Sequence, residues 1–232
     1  MRPDTTLARK QEIILCQTAA VAHAFSHQHR LKIISLLTQS SKSVEELAKG
    51  IGQSVASTSA HLKVLRSAGA VTAHKTGRFV YYQISSKQIS SFLAAIRKLA
   101  EELLPEVREI MRDYFDDPES LSPLTERELL AEIRSGRVLV LDLRPEAEFN
   151  AGHIPEASNI PSARLKELSK RLPRKKQFVA YCRGPYCLMA KHGTDYLRTL
   201  GHDVRRLRFG TAEWEAAGQA LEHGSTSVNP LP

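Results

Sequence analysis

The sequence predicts two domains of different class: a mostly helical α+β domain with a β-hairpin, then an α/β domain with a central parallel sheet. Three observations predict this. Up to residue 113 apolar residues fall at helical spacing, except in one alternating stretch at 71–85. "YFDDPESLSPL" (114–124) mixes acids, Ser and two Pro, which is linker chemistry. Beyond it, short apolar runs alternate with helical patterns, the signature of strand–helix units. The boundaries read from this are 1–113, a linker at 114–124, a second domain at 125–222 and a mobile tail at 223–232.

The 232 residues are 42 % hydrophobic and 25 % charged, ordinary for a soluble globular protein, and carry a formal net charge of +8. The charge points to a polyanionic partner, nucleic acid before membrane surface. Three cysteines make no disulfide framework, and no apolar run approaches a membrane span. "IILCQTAAVAHAF" (13–25) is interrupted by Gln17, Thr18 and His23 and follows Lys10 and Glu12, so it is not read as a signal core. A reduced, cytoplasmic setting without membrane association is expected.

The opening helices place Ile14, Val21 and Phe25, then Leu31, Ile34 and Leu37, on apolar stripes. In "SVEELAKGI" Ser43 and Glu46 have capping-box spacing, and Gly50 and Gly52 bracket the helix end. "SVASTSAHLKVLRSAGAV" follows, with Ser54 as cap, Leu62 and Leu65 inward and Gly69 at the end. Two helices joined by a short Gly-containing turn make a helix-turn-helix. The outer face of the second helix is small and polar, which permits close approach to a major groove. The candidate DNA contacts there are Ser54, Ala56, Ser57, Ser59, Ala60, His61 and Lys63. Alternation at Val80, Tyr82 and Ile84 with a turn at Thr76-Gly77 predicts a hairpin wing, whose Lys75 and Arg78 would meet phosphates. Residues 42–87 hold seven Lys or Arg against two Glu; as a charge count alone this favours a solvated basic face.

The segment from "AFSHQHRLKIISLL" through "SVASTSAHLKVLRSAGAVTAHKTGRFVYYQIS" resembles the ArsR/SmtB-type winged-helix repressors over roughly residues 10–112. The resemblance implies a homodimer that binds operator double-stranded DNA and leaves it when an inducer binds. It also implies dimerisation through the first helix and residues 86–113. There Ile89, Leu93, Ile96, Leu99, Leu103, Val107 and Ile110 form one apolar stripe, and Pro105 kinks or restarts the helix. The family's familiar metal sites lack their ligands here: "SVEELAKGI" has no Cys or His, and 86–113 has no His. No metal and no cofactor are therefore expected. Cys16 reads as a buried small hydrophobe, with an inducer-responsive thiol as the alternative.

In the second domain "RVLVLDL" (137–143), "QFVAYC" (177–182) and "HDVRRLR" (202–208) read as strands. "SARLKELSKRL" (162–172) and "LMAKHGTDYLRTLG" (188–201) read as helices, after a capping box at Thr125 and Glu128 closed by Gly136. "YCRGPYCLMA" (181–190) therefore joins a strand to a helix N-terminus. Backbone N–H groups and the helix dipole there stabilise an anion, which predicts a lowered thiol pKa at Cys182, aided by Arg183. Gly184 and Pro185 help the loop curl.

"LDLRPEAEFNAGHIPEASNIP" (141–161) and "FGTAEWEAAGQAL" (209–221) resemble the entry and closing motifs of rhodanese-type sulfurtransferases, over about 121–222. The resemblance makes Cys182 the nucleophile that takes sulfane sulfur from a small donor, becomes a persulfide and passes it to a thiol acceptor or cyanide. The backbone N–H groups of 183–187, a stretch that includes Tyr186, would cradle it. Asp142 and Arg144 match the family's D-x-R, which orders the neighbourhood. Cys187 stands where relatives often carry Ser, Arg or Lys, which puts ready use of thiosulfate in doubt. It is either packed or a resolving thiol that attacks the Cys182 persulfide and leaves a disulfide. Zinc needs further ligands, and a Cys-x5-Arg phosphatase or arsenate-reductase loop needs Arg where Leu188 stands. Three readings follow: a DNA-binding regulator whose second domain processes reactive sulfur or oxidants; a sulfurtransferase whose winged helix serves dimerisation or localisation; and a ligand-responsive repressor with a silent second domain.

Overall fold

In the computed structural model, residues 5–117 and 120–224 are described, Thr5 by its backbone only. The chain forms two compact units that divide between Ile89 and Ser90.

The first unit runs α1 (Thr5–Phe25), α2 (Gln28–Leu37), β1 (Lys42–Ser43), α3 (Val44–Ile51), α4 (Val55–Ser67), β2 (Val71–Thr76) and β3 (Phe79–Ile84). Helix α3 starts on the expected capping box: Ser43 Oγ accepts the Glu46 N–H, and Glu46 Oε2 accepts the Ser43 N–H at 2.7 Å. It ends at Gly52, which has φ +68, a left-handed conformation that glycine adopts without Cβ strain. Ile33, Ile34, Leu47, Leu62 and Leu65 are buried, so the inward stripes of α2, α3 and α4 supply the core. Strands β2 and β3 form the predicted wing in full register, Val71↔Ile84 to Thr76↔Phe79, and β1 adds a short third strand on β3.

The next helix, α5 (Gln88–Leu103), begins at the end of the first unit and continues into the second. The sequence assigns it to a domain ending at 113, but its Arg97 and Glu101 are bonded to residues beyond 180. Pro105 occupies the first turn of a new helix, α6 (Pro105–Ile110), where its missing N–H costs nothing. One π-helical turn follows (Met111–Phe115). The expected linker is partly tied down: the Ser122 N–H donates to the Arg206 carbonyl, the Arg206 N–H to the Ser120 carbonyl, and both serines are buried.

The remainder runs α7 (Glu126–Arg134), β4 (Val138–Asp142), α8 (Glu146–Ala151), β5 (Ser158–Asn159), α9 (Leu165–Leu168), β6 (Gln177–Tyr181), α10 (Leu188–Thr199), β7 (Asp203–Arg206) and α11 (Thr211–Ala216). The four strands are parallel in the order β5-β4-β6-β7. Two buried clusters flank the sheet, one around Phe149, Tyr181 and Trp214, the other around Leu141, Phe178 and Leu197. The helix expected at 162–172 is broken into 3-10 turns around the four residues of α9, bounded by Pro161 and Pro173. The expected tail at 223–232 is held at its start: the Gly224 N–H donates to the Asn150 carbonyl, and His223 bonds to the Ala151 carbonyl. Residues 225–232 lie outside the described residues.

Candidate functional site

Strand order places the cysteine loop. From β4 the chain moves to β5 on one side and returns as β6 on the other, so the carboxyl ends of β4 and β6 flank a topological switch point. Asp142 and Tyr181 are paired in register there, and Cys182 is the next residue. Cys182 is buried at 1 % exposure, while Cys187, half-buried, is the N-cap of α10. Both are free thiols, hydrogen-bonded to each other.

The lowered thiol is Cys187, not Cys182. The hydrogen bond from Cys182 lowers Cys187 to about 6, against its burial and with help from the N–H groups of Arg183, Ala190 and Met189. Burial pushes the Cys182 thiol well up, and its role as donor to Cys187 adds to this. The expectation of a lowered Cys182 pKa is thus corrected. The sulfur that meets the helix N-terminus is the one at its cap, five residues on. The amides expected to cradle a group on Cys182 include one, Arg183, that points to the Cys187 sulfur instead, and the Cys187 N–H is taken by the Gly184 carbonyl. The Arg183 guanidinium is held by buried Glu148, Nε to Oε2 at 2.8 Å and Nη2 to Oε1 at 2.7 Å. Its charge is therefore largely answered before it reaches a sulfur.

Asp142 and Arg144 form a buried pair, with Arg144 Nη2 2.6 Å from Asp142 Oδ2. Arg144 also donates to the Gly152 carbonyl at 2.7 Å and to Thr211 Oγ1 at 3.3 Å. It thereby pins the end of α8 and the start of α11 around the loop. Gly210, just before α11, approaches the loop so closely that a Cβ would lie 2.5 Å from the Cys182 carbonyl and 2.8 Å from the Gly184 nitrogen.

The loop also meets α5 within the second unit. The Tyr186 hydroxyl donates to Glu101 Oε1 at 3.1 Å, with the Arg97 guanidinium 5.6 Å from its ring centroid. Arg97 pairs with Glu213 at 3.1 Å, and Arg208 with Glu101 at 2.8 Å. Arg206, buried, donates to the Phe115 and Pro185 carbonyls. Sequence reasoning missed Arg97, Glu101, Glu148, Arg206, Gly210 and Glu213. Gly210 and Glu213 lie in the closing motif and Glu148 in the entry motif; Arg97, Glu101 and Arg206 offer only a charge, whose partner is far along the chain.

On the first unit Ser54, Ala56, Ser59, Ala60 and Lys63 are exposed along α4, and Lys75 and Arg78 are exposed at the wing. Ser57 is half-buried, and its N–H donates to Ser54 Oγ. Ser59, Lys63, Arg66 and Tyr82 help line a groove of about 400 Å³ between α4 and β3. His61 departs from this face, its ring turned toward His27 and His29. Cys16 is exposed, contrary to the expectation of burial, because α1 leaves Ile13, Ile14 and Leu15 uncovered around it. On α5 and α6, Leu99, Leu103 and Ile110 of the expected stripe are likewise exposed, while Leu93 is buried. Among the described residues no helix is long and apolar enough to cross a membrane.

Comparison with known proteins agrees with both halves. Residues 27–73 match the family model for bacterial regulatory proteins of the arsR family, and 125–217 match the rhodanese-like domain. The chain is similar to the HTH-type transcriptional regulator Rv0324 of Mycobacterium tuberculosis, 36 % identical over 93 % of this chain and 95 % of that protein. It is also similar to the cadmium resistance transcriptional regulatory protein CadC of Listeria innocua, 38 % identical over 34 % of this chain and 67 % of that one. Among solved structures, the homodimeric winged helix-turn-helix DNA-binding domain Mb0332 of Mycobacterium bovis is 30 % identical, covering 46 % of this chain and 95 % of that chain, with a TM-score of 0.41.

Proposed function

Since the chain belongs to the ArsR family of transcriptional regulators and carries a rhodanese-like domain, we propose that it binds operator DNA as a homodimer and adjusts that binding to reactive sulfur or oxidants through Cys182 and Cys187. The observation that carries this reading is the hydrogen-bonded thiol pair in a loop whose Tyr186 is bonded to Glu101 of α5. The uncovered apolar residues of α1, α5 and α6 support the dimer, and the exposed cations of α4 and the wing support the DNA contact. A cytoplasmic location fits a protein that acts on DNA.

The chemistry closes on the two sulfurs. Cys182 passes its thiol proton to the Cys187 thiolate as its sulfur attacks the outer sulfur of a donor such as thiosulfate; an S–S bond forms, the donor's S–S bond breaks and sulfite leaves. The Cys187 thiolate then attacks the inner sulfur of the Cys182 persulfide, the outer sulfur leaves as hydrosulfide, and a Cys182–Cys187 disulfide remains. With a peroxide, one thiolate becomes a sulfenic acid as hydroxide leaves, and the second thiol displaces water to give the same disulfide. A low-pKa Cys187 suits the resolving step. A ligand or modification shifts DNA affinity only by differing in its interaction with the bound and free forms. The α5 contact is where that difference would arise.

The test is fluorescence anisotropy on double-stranded DNA from upstream of the protein's own gene. Reduced, thiosulfate-loaded and peroxide-treated protein are compared, with Cys182→Ser and Cys187→Ser as controls and mass spectrometry identifying each state. The expected result is at least about a fivefold change in Kd on loading or oxidation, the low end of ordinary coupling energies, abolished in Cys182→Ser. Equal affinities in every verified state would overturn the coupling.

A further inference from the structure

Three imidazoles meet on the first unit, at a place the sulfur chemistry does not use. His27 and His29 open α2; His61 lies on α4, three residues after buried Thr58 and four before buried Leu65. Ring centroids are 4.5 Å apart for His27 and His61, 5.2 Å for His27 and His29, and 5.5 Å for His29 and His61. One ring nitrogen from each residue lies within 4.8 Å of the other two, and all three side chains are half-buried.

Three protonated rings would repel one another at this distance. Burial, then the neighbouring His27, His29 and Arg30, lowers the His61 pKa. Arg30 is itself occupied by the Ala24 and His23 carbonyls. Neutral rings leave three imidazole nitrogens within reach of one ion, and neutral imidazole nitrogen is the preferred donor for a borderline divalent cation. Ligand nitrogens sit about 2.0–2.1 Å from zinc, so three nitrogens within 4.8 Å of one another draw closer on sharing one ion. We infer that His27, His29 and His61 form a three-histidine site for a divalent cation of the Zn²⁺ type, joining the start of α2 to α4.

His27 gives the site a consequence. Its Nδ1 accepts the His29 backbone N–H at 3.1 Å, so Nδ1 holds the lone pair and Nε2 the proton. A cation on Nδ1 displaces that amide. A cation on Nε2 moves the ring's proton to Nδ1, which turns an acceptor into a donor. Either way, loading exchanges the cap of α2 for a bond that reaches α4, the helix carrying the candidate DNA contacts. The inference stands apart from the sulfur reading, because no cysteine takes part.

The test is titration of full-length reduced protein with Co²⁺, then competition by Zn²⁺. One Co²⁺ per chain is expected, with ligand-field bands, no thiolate-to-cobalt charge-transfer band and no change when Cys16, Cys182 and Cys187 are replaced by Ser. His61→Gln should weaken binding by about tenfold or more, since loss even of a residue that merely supports a ligand costs about that much. His27→Asn should weaken it as strongly while leaving thermal unfolding unchanged, because Asn still caps α2. No saturable binding, a thiolate signature, or unchanged affinity in the two histidine variants would each overturn the site.

Discussion

Gly210 is a glycine because the Cys182 carbonyl and the Gly184 nitrogen leave no room for a Cβ. Gly210→Ala pushes on backbone, so the expected cost is about 1–3 kcal/mol in thermal unfolding. Thiosulfate loading, followed by mass spectrometry, should drop with it. The thiol pair gives a second prediction at this scale. The rate of alkylation by iodoacetamide follows the thiolate fraction, so it should rise as pH passes about 6 and be near its plateau at neutral pH; an ordinary thiol, with a pKa of about 8.5, is still climbing there. Cys187→Ser should remove this phase. Cys182→Ala, which deletes the donated hydrogen bond, should move its midpoint upward. The loop and both cysteines are legible in the sequence from a strand, a short Gly-Pro turn and a helix. Which sulfur carries the charge is not, because that depends on where the cap residue's sulfur sits among the amides.

Helix α5 is the element whose role the sequence shows least. Its apolar stripe is plain, but the residues that bind it to the cysteine loop, Arg97 and Glu101, sit between the stripe positions and look like ordinary surface charge. A stripe announces itself by period; a partner 85 residues away, as Tyr186 is from Glu101, leaves no local mark. Glu101→Gln and Tyr186→Phe, alone and together, should show a coupling energy of about 1 kcal/mol in a double-mutant cycle read by thermal unfolding. The single variants should still bind operator DNA and should show a smaller response to sulfur loading. By contrast, both capping boxes are legible, since Ser43-x-x-Glu46 and Thr125-x-x-Glu128 are local patterns with one geometric outcome. The stretch 162–172 misleads because its helical spacing is real, yet only Leu165–Leu168 keep α-helical bonds, with 3-10 turns on either side between Pro161 and Pro173.

For the whole molecule, the two domain classes follow from the change in hydrophobic period, and the boundary does not, because α5 starts in one compact unit and is bonded within the other. Operator binding should weaken steeply with salt. Replacing Lys75 and Arg78 together by Ala should reduce the slope of log K against log salt by about one for each phosphate no longer neutralised. Arg206 sets how the second unit comes apart. Its guanidinium is buried and donates to the carbonyls of Phe115 and Pro185, residues far apart along the chain. One segment cannot swing away without leaving the other to solvate the buried charge alone. Opening is therefore shared: in hydrogen exchange the amides of 120–122 and those of 183–187 should lose protection at the same rate, as one cooperative piece whose key is a single cation.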